Sequence, residues 1–375
     1  MSLPSFDPGF STDALRAVYT AGSTVAAVLE FEASLALALA DVGIAPVEEA
    51  EELAAVCRVG VNDPQEVLRS TWEEGTPIIG LRRRIAAEVS ERAGQWFHRG
   101  ATTQDAIDTA QMLQARTALG VIGQSLDSIA RRLRHLTATH RATPQMGRTF
   151  LQDGRPTTFG FRTATWLDTV LAHIVDLRGQ RDGLSIQLGG PVGTNAEYGV
   201  SATSVVSALA DRLDLHAPDI SWHSNRDKVL ALAQAVERMA ATMGKIGTDL
   251  ALLASTSISE VSVRSGGSSS MPGKENPIDA IRAVAAASAC HGAVAMLSFA
   301  PPHQLDRAVG SWHLEWIALP LTLQTAGAAA EAIDDGLASI EVDPESMSSR
   351  VTSDPTVDDG RIDTVLESFE RVVGS

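Results

Sequence analysis

The stretch of this chain that decides its fold and its site reads Gly267-Ser268-Ser269-Ser270-Met271-Pro272-Gly273-Lys274-Glu275-Asn276-Pro277. Its first half is rich in small residues and hydroxyls, which predicts a mobile loop with many backbone N–H donors. Met271-Pro272 then limits this mobility, because proline fixes its own φ and restricts the residue before it. Lys274 supplies a cation and Asn276 an amide, and Pro277 suits the first turn of a following helix. Such a loop is typical of a receptor for an anion, or for an oxyanion that develops during a reaction.

The loop resembles the signature of the fumarase/aspartase superfamily, Gly-Ser-Ser-x-Met-Pro-x-Lys-x-Asn-Pro, and every fixed position of that pattern is filled. A flexible Ser/Gly linker is the alternative, but linkers rarely continue into Met-Pro-x-Lys-x-Asn-Pro. The resemblance implies that Ser268 exchanges a proton with the carbon next to a substrate carboxylate. It also implies that Lys274 acts in catalysis and that the substrate is bound by Ser269, Met271 and Asn276.

A second segment, residues 98–110, reads His-Arg-Gly-Ala-Thr-Thr-Gln-Asp-Ala-Ile-Asp-Thr-Ala. Thr102 or Thr103 suits the N-cap of a helix, and the acidic residues that follow suit its positive end. His98 and Gln104 flank a glycine turn at this helix start, where polar side chains can hold a carboxylate. The segment resembles the first signature region in the cycloisomerase branch of the superfamily. That resemblance makes His98 a catalytic candidate and places Thr102, Thr103 and Gln104 at the substrate.

A third segment, Gly147-Arg148-Thr149-Phe150-Leu151-Gln152, resembles the second signature region and implies that Arg148 and Gln152 bind substrate. Fumarases, adenylosuccinate lyases and argininosuccinate lyases usually have a histidine at the position of Phe150, where it serves as or supports the general acid. The 3-carboxy-cis,cis-muconate cycloisomerases have an aromatic residue there instead. Phe150 therefore favours a cycloisomerase over a C–N lyase.

Two further arginines are substrate-binding candidates, each in a segment that resembles the cycloisomerase branch. Arg226 lies in Trp222–Asp227, and Arg307 precedes Ser311–Trp316. Arg226 is either one half of a local ion pair with Asp227 or a group that holds a carboxylate with two hydrogen bonds. The sequence leaves both interpretations open.

Periodicity predicts an all-α fold. One apolar seam recurs at spacings of three and four along a long helix, as in a helix bundle: Val229, Leu232, Val236, Met239, Met243, Ile246, Leu250 and Leu253. Gly244 and Gly247 on this helix allow a neighbour to approach closely. Helices are also predicted over Asp13–Val42, Asp105–Thr139, Thr158–Asp182, Ser201–Leu213, Ile278–Phe299, His313–Ser339 and Ile362–Val373. Alternating strand patterns are scarce, and the long seam indicates contacts between subunits.

The resemblance extends from the N-terminal helix to about Met347 and implies a long-helix bundle of the fumarase/aspartase type. We expect an N-terminal helical domain over residues 1–100, the central bundle over residues 101–340, and a truncated C-terminal segment over residues 341–375. Superfamily members usually continue into a C-terminal helical domain, so this region is expected to be shortened. The superfamily also builds its sites at subunit corners, which implies a homotetramer with sites shared between subunits.

Composition restricts the partners. The net charge of −16 over 375 residues argues against nucleic acid and anionic membranes, so an anionic substrate must be held by local cations. Cys57 and Cys290 do not form a disulfide framework and suit a reducing cytoplasm, and no Cys/His spacing suggests a metal. No export signal is evident and no uninterrupted apolar run approaches membrane-spanning length. We expect a cytoplasmic protein with a small polycarboxylate substrate and no cofactor.

The resemblance implies closure of 3-carboxy-cis,cis-muconate to 4-carboxymuconolactone, a step of protocatechuate breakdown in the β-ketoadipate pathway. The substrate's own carboxylate adds to a C=C bond, and a proton is delivered to the carbon beside another carboxylate. Ser268, His98 and Lys274 are all open as proton donors. The alternatives are a C–N lyase of the same superfamily acting on a substituted succinate, as adenylosuccinate lyases do, and a non-enzymatic helical scaffold.

Overall fold

Helices carry most of the part of the chain that this computed structural model describes, residues 9–301 and 303–374. In order they are α1 (Asp13–Val18), α2 (Ala21–Asp41), α3 (Val47–Val59), α4 (Pro64–Glu74), α5 (Pro77–Ala86), α6 (Glu91–Gly94), α7 (Thr103–Thr139), α8 (Phe159–Asp182), α9 (Ala202–Leu213), α10 (Asp227–Leu253), α11 (Ile278–Leu297), α12 (Ser311–Ala338), α13 (Pro344–Ser349) and α14 (Asp359–Val372). A short 3-10 helix, Ala196–Ser201, precedes α9. The prediction of an all-α fold is confirmed.

Short strands pair two by two and antiparallel within the same described residues. They are β1 (Pro144–Thr149) with β2 (Gln152–Thr158), β3 (Val261–Ser262) with β6 (Glu341–Val342), and β4 (Ser265–Gly266) with β5 (Asn276–Pro277). The β1–β2 hairpin and the β4–β5 pair matter most here, because they carry two of the three segments singled out above.

Helix α10 is the axis of the bundle and follows the predicted seam, all of whose residues are buried. It packs against α8, α11 and α12 within the one chain. A Cβ on Gly247 would lie 2.9 Å from the carbonyl oxygen of Ala280, and one on Gly244 would lie 2.9 Å from Ala287 Cβ. Both glycines therefore permit the close approach of α11, as predicted. The seam residues are buried inside the chain, so they give no support to subunit contacts, and the expected oligomer stays a prediction.

The other helix predictions are confirmed to within a few residues, apart from the first. The helix expected over Asp13–Val42 is broken into α1 and α2, because Thr20 starts a new helix by accepting a hydrogen bond from Ser23 N on its hydroxyl. Helices α3 to α6 were not predicted, and neither was the β1–β2 hairpin.

The N-terminal helices form a second apolar cluster with α9 and the start of α7. At the other end of the chain, α14 packs on α7 and α8 and buries Ile362 and Phe369. Arg141 binds the carboxylate of Asp363, with Nη2 3.0 Å from Oδ2, which anchors α14 further.

By length and composition alone, α2 and α11 are apolar enough to cross a membrane. Helix α2 packs against α3, α7 and α9, and α11 lies between α10 and α12. Core helices pass the same test, so this finding is weak evidence for a membrane.

Candidate active site

The serine loop, defined here as residues 267–276, closes on a narrow neck before α11. Its ends are joined by the β4–β5 pair, and Asn276 Nδ2 donates to the carbonyl oxygens of Gly266 and Gly267 at 3.3 and 3.5 Å. A Cβ on Gly266 would lie 2.5 Å from Ile278 Cγ1, so only glycine lets the neck pass over the start of α11. The predicted contact of Asn276 with substrate therefore competes with its role in closing this neck.

Within the loop, the hydroxyl of Ser268 is the acceptor for two backbone donors. Its Oγ accepts from Met271 N at 3.0 Å and from Ser270 N at 3.4 Å. Two N–H dipoles aimed at one oxygen favour its alkoxide form, because they stabilise negative charge without reorganising. Ser268 is half-buried, whereas Ser269 and Met271 are exposed. Lys274 is also exposed, and no described residue bonds to its ammonium group.

The hairpin of β1 and β2 presents its tip to solvent. Its two-residue turn consists of Phe150 and Leu151, with φ of 50° and 62°, and the Phe150 side chain is 99% exposed. Hairpin turns with two positive φ angles usually hold Asn-Gly, and a left-handed conformation costs about 1–2 kcal/mol for other residues. Gln152 follows the turn and is exposed. The unusual turn residues explain why the sequence pattern did not reveal the hairpin.

Arg148 lies in the same hairpin, but its charge is already neutralised. It makes a two-point ion pair with Glu260, whose side chain is fully buried, and Gln145 Nε2 donates to the same carboxylate at 2.8 Å. The hydrogen bond that Arg148 donates to Glu260 raises the pKa of Arg148 above its usual value. The predicted role of Arg148 as a substrate ligand has no support in this arrangement, because the guanidinium faces an internal acid.

The segment that begins at His98 forms the start of α7. Thr102 is the N-cap, and its backbone N–H donates to Asp105 Oδ2 at 2.9 Å in a capping box. Arg307 approaches from the segment before α12 and donates from Nη1 to Thr102 Oγ1 at 3.0 Å. Its other contact is the carbonyl oxygen of Pro191, at 3.1 Å from Nη2. Arg307 has no acidic partner among the described residues, so it remains a cation available to an anion.

His98 is held by an acid that the sequence analysis did not single out. Its Nδ1 lies 2.7 Å from Glu32 Oε1, and its backbone N–H donates to Glu32 Oε2 at 2.8 Å. Burial lowers the pKa of His98, but the charge of Glu32 and its hydrogen bond outweigh burial, so the net pKa is raised. With Nδ1 engaged, Nε2 is the ring nitrogen left for proton transfer. The sequence signal that could have identified this acid is a glutamate, Glu32, within the apolar run of α2.

Two predicted ligands of the first segment are engaged within the chain. Gln104 is fully buried, and its Nε2 donates to the carbonyl oxygen of His223 at 2.9 Å. The hydroxyl of Thr103 lies 2.9 Å from that of Thr76. The side chain of Gln104 is not accessible within the chain, so its predicted contact with substrate stays a prediction without support from this arrangement.

Arg226 is also internal, which settles the two interpretations in favour of an ion pair, though not with Asp227. All five guanidinium N–H groups have acceptors, namely the carboxylates of Asp108 and Glu315 and the carbonyl oxygen of Trp222. Its side chain is 1% exposed. Arg226 therefore joins α7, α10 and α12 in this structure, and no described contact supports its predicted role in substrate binding, which stays a prediction.

The three segments do not meet in one chain. Arg226 precedes the first residue of α10, and this end of the helix lies near His98 and Thr102. Glu260, which binds the hairpin, lies at the other end of α10, where its backbone N–H donates to the carbonyl oxygen of Leu253. A helix of 27 residues is about 40 Å long. The hairpin and the serine loop therefore lie at the opposite end of the bundle from His98. Among the described residues, no group of three or more metal-binding side chains is present.

The family model described as Lyase matches residues 9–289 of this chain. The chain is 37% identical over 352 residues to the 3-carboxy-cis,cis-muconate cycloisomerase of Pseudomonas aeruginosa, covering 91% of this chain and 76% of that protein. It is 34% identical to trans-aconitate decarboxylase 1 of Mycosarcoma maydis, over 90% of this chain and 70% of that protein. It is also 34% identical to nitrosuccinate lyase of Streptomyces davaonensis, over 89% of this chain and 73% of that protein.

Among solved structures, the fold is similar to that of the 3-carboxy-cis,cis-muconate lactonizing enzyme of Pseudomonas putida. The TM-score is 0.86 at 30% identity, and the match covers 99% of this chain and 88% of that chain. This structural match spans α1 to α14, whereas the family model ends within α11, at residue 289.

Proposed function

Because this chain belongs to the lyase family of the fumarase/aspartase superfamily, we propose that it is a cycloisomerase that closes 3-carboxy-cis,cis-muconate to 4-carboxymuconolactone. The observation that carries this choice is Phe150 at the hairpin tip. Its ring is almost fully exposed and held in a strained turn. A side chain without an exchangeable proton, presented in this way, suits packing against a planar diene rather than proton transfer.

The reaction needs a proton donor and stabilisation of added negative charge. A substrate carboxylate oxygen forms the new C–O bond to one alkene carbon, and the electron pair of the C=C bond moves towards the neighbouring carbon beside a second carboxylate. That carbon then takes a proton. We assign the proton to Ser268, whose Oγ faces two backbone N–H groups, with His98 and Lys274 as the other donors.

Lys274 and Arg307 are the cations that support the intermediate. Neither has an acidic partner among the residues described, whereas Arg148 and Arg226 are each bound to buried carboxylates. A cation that is not already neutralised interacts more strongly with a developing oxyanion in a water-poor site. Thr102, which is half-buried beside Arg307, and Gln152, which is exposed, are further proposed ligands.

The site is proposed to be shared between subunits of a homotetramer. The distance of about 40 Å along α10 keeps His98 from Ser268 in one chain. Exposed apolar residues on neighbouring helices support association: Val175, Leu252, Ile281 and Ile317. Only 44% of the apolar stretch of α11 is buried within the chain. The rest of α11 is therefore available for contact with another copy of the chain.

Mixing two inactive variants tests the shared site. Ser268→Ala and His98→Asn are each expected to be inactive alone, and co-refolding them is expected to restore part of the activity, since some mixed sites then hold neither substitution. The control is each variant refolded by itself at the same concentration. Failure to recover activity, with both variants folded and co-assembled, would contradict a site built from several chains.

The choice of reaction is tested by absorbance with two substrate classes. Loss of the conjugated diene on adding 3-carboxy-cis,cis-muconate supports the cycloisomerase. Release of fumarate from a substituted succinate would instead support the alternative C–N lyase. The similarity to a nitrosuccinate lyase favours that alternative, and the His98–Glu32 pair would supply its general acid. Turnover in neither class leaves the non-enzymatic scaffold.

We place the protein in the cytoplasm, which its buried free thiols Cys57 and Cys290 support.

A further inference from the structure

Arg162 lies in the second turn of α8, at the base of the hairpin, and only part of its guanidinium has a partner. Its Nε donates to Gln145 Oε1 at 2.7 Å. Gln145 is fully buried, and its own amide nitrogen donates to Glu260 at 2.8 Å. A chain of hydrogen bonds thus runs from Arg162 through Gln145 to Glu260 and on to Arg148.

The acids around Arg162 are already neutralised by other groups. Glu260 is taken by Arg148. Asp249 accepts from Lys245 and from Trp166 Nε1, the latter at 3.1 Å. The two terminal nitrogens of Arg162, Nη1 and Nη2, have no hydrogen-bond partner among the described residues. Within this cluster, no carboxylate of the described residues binds the terminal nitrogens of Arg162, because Glu260 and Asp153 pair with Arg148 and Asp249 pairs with Lys245.

Arg162 is also partly withdrawn from water. Burial lowers the pKa of Arg162, while Asp249 and Glu260 oppose this shift and Arg148 adds to it. Taking a cation out of water without an acidic partner is unfavourable. Arg162 is such a partly buried cation, and its Nη1 and Nη2 are open. The side chain is therefore a preformed receptor for an anion.

We propose that Arg162 binds a carboxylate of the substrate through Nη1 and Nη2. The end-on fork of a guanidinium matches the two oxygens of a carboxylate, which adds orientation as well as charge. The start of α8, a 24-residue helix, favours negative charge at the same place. This inference rests on the proposed function, because a polycarboxylate has a further carboxylate to place beyond those held by Lys274 and Arg307.

The position suits that role, because the hairpin links Arg162 to the tip. Gln145 and Arg148 lie on β1, and the same hairpin carries Phe150 and Gln152 at its end. Arg162 would hold one carboxylate of the substrate at the base of the hairpin. It would set the orientation of the substrate and take no part in proton transfer.

Calorimetric titration with tricarballylate, a saturated tricarboxylate that does not react, tests the inference. Arg162→Gln should weaken binding by at least about tenfold, the effect of losing one charge-assisted contact. Arg155→Gln is the matched control: it removes the same charge from exposed β2 of the same hairpin and should stay within about twofold. With 3-carboxy-cis,cis-muconate, Arg162→Gln should raise KM more than it lowers kcat.

A structural role for Arg162 predicts a different result. If Arg162→Gln binds tricarballylate as wild type does and only unfolds at a lower temperature, the residue merely holds Gln145 and the inference is overturned. Arg162→Lys covers the case in which the glutamine variant does not fold: it keeps the charge but loses the fork, so weaker binding supports the inference and unchanged binding overturns it. Wild type that binds no tricarballylate and converts no muconate would overturn the proposed function itself, and this inference with it.

Discussion

The guanidinium of Arg148 binds the carboxylate of Glu260, a fully buried side chain that lies just beyond the end of α10. This ion pair fastens β1 to the bundle two residues before the turn, and Gln145, near the base of the hairpin, binds the same carboxylate. The tip is left free, with Phe150 exposed and strained. A rigid base and a protruding tip are what a hairpin needs if it is to reach the site of a neighbouring copy.

Ser268→Ala is expected to lower turnover by about two to four orders of magnitude, the usual effect of losing a proton-transfer group. The fold should remain intact, because among the described residues the Ser268 hydroxyl bonds only to its own loop. Ser270→Ala is the matched control and should keep most of the activity, since only the backbone of Ser270 contacts Ser268. Retention of more than about a tenth of the wild-type rate by Ser268→Ala would show that the serine is misassigned.

Arg226→Met is expected to destabilise the protein by about 3–5 kcal/mol, because it leaves Asp108 and Glu315 buried without a cation. Urea unfolding measures the loss. Arg238→Met serves as control, since Arg238 pairs with Asp176 at the surface and its removal should cost no more than about 1 kcal/mol. Equal losses in both variants would mean that the buried cluster is not needed for stability.

Phe150→His is expected to lower cycloisomerase activity and to confer no useful fumarate-forming activity. The nucleophile in lactonisation is a substrate carboxylate that is already ionised, so a base at this position adds nothing. Phe150→Trp should be tolerated, because an aromatic ring is kept at the tip. Rates with both substrate classes decide the matter. A clear gain in turnover of a succinyl amine by Phe150→His would require the cycloisomerase assignment to be withdrawn.

Glu32→Gln is expected to lower the pKa of His98, because burial then acts without the opposing charge. In wild type the folded pKa of His98 is raised above its ordinary value of about 6.5. The stabilisation by this pair is therefore complete below that pH, and it is lost as the pH rises through the raised value. Urea unfolding against pH should show this loss in wild type and not in Glu32→Gln.

Glu30→Gln is the control for that experiment, since Glu30 lies on the same helix and pairs with Arg58 at the surface. It should keep the wild-type pH dependence. NMR titration of His98 gives a direct reading of the same effect. An unchanged His98 titration in Glu32→Gln would show that Glu32 does not set the charge of the imidazole.

Most of the fold could be predicted because helix periodicity is local. The seam of α10 identifies a buried face from spacing alone, and Gly244 and Gly247 mark the close approach of α11. The prediction was incomplete elsewhere. Helices α3 to α6, of 4 to 13 residues, were not identified, and the hairpin turn at Phe150 and Leu151 lacks the residues that usually identify such turns.

The all-α class, the bundle axis and the residue types of the serine loop can be read from the sequence alone, since spacing and residue type are properties of neighbouring residues. Which charges are available depends on tertiary packing. Arg148, Arg226 and Arg162 look alike in the sequence, yet the first two are neutralised by buried acids far away in the chain, whereas the third keeps two nitrogens open. The partner of a charge depends on how distant elements pack, and local patterns do not contain that information.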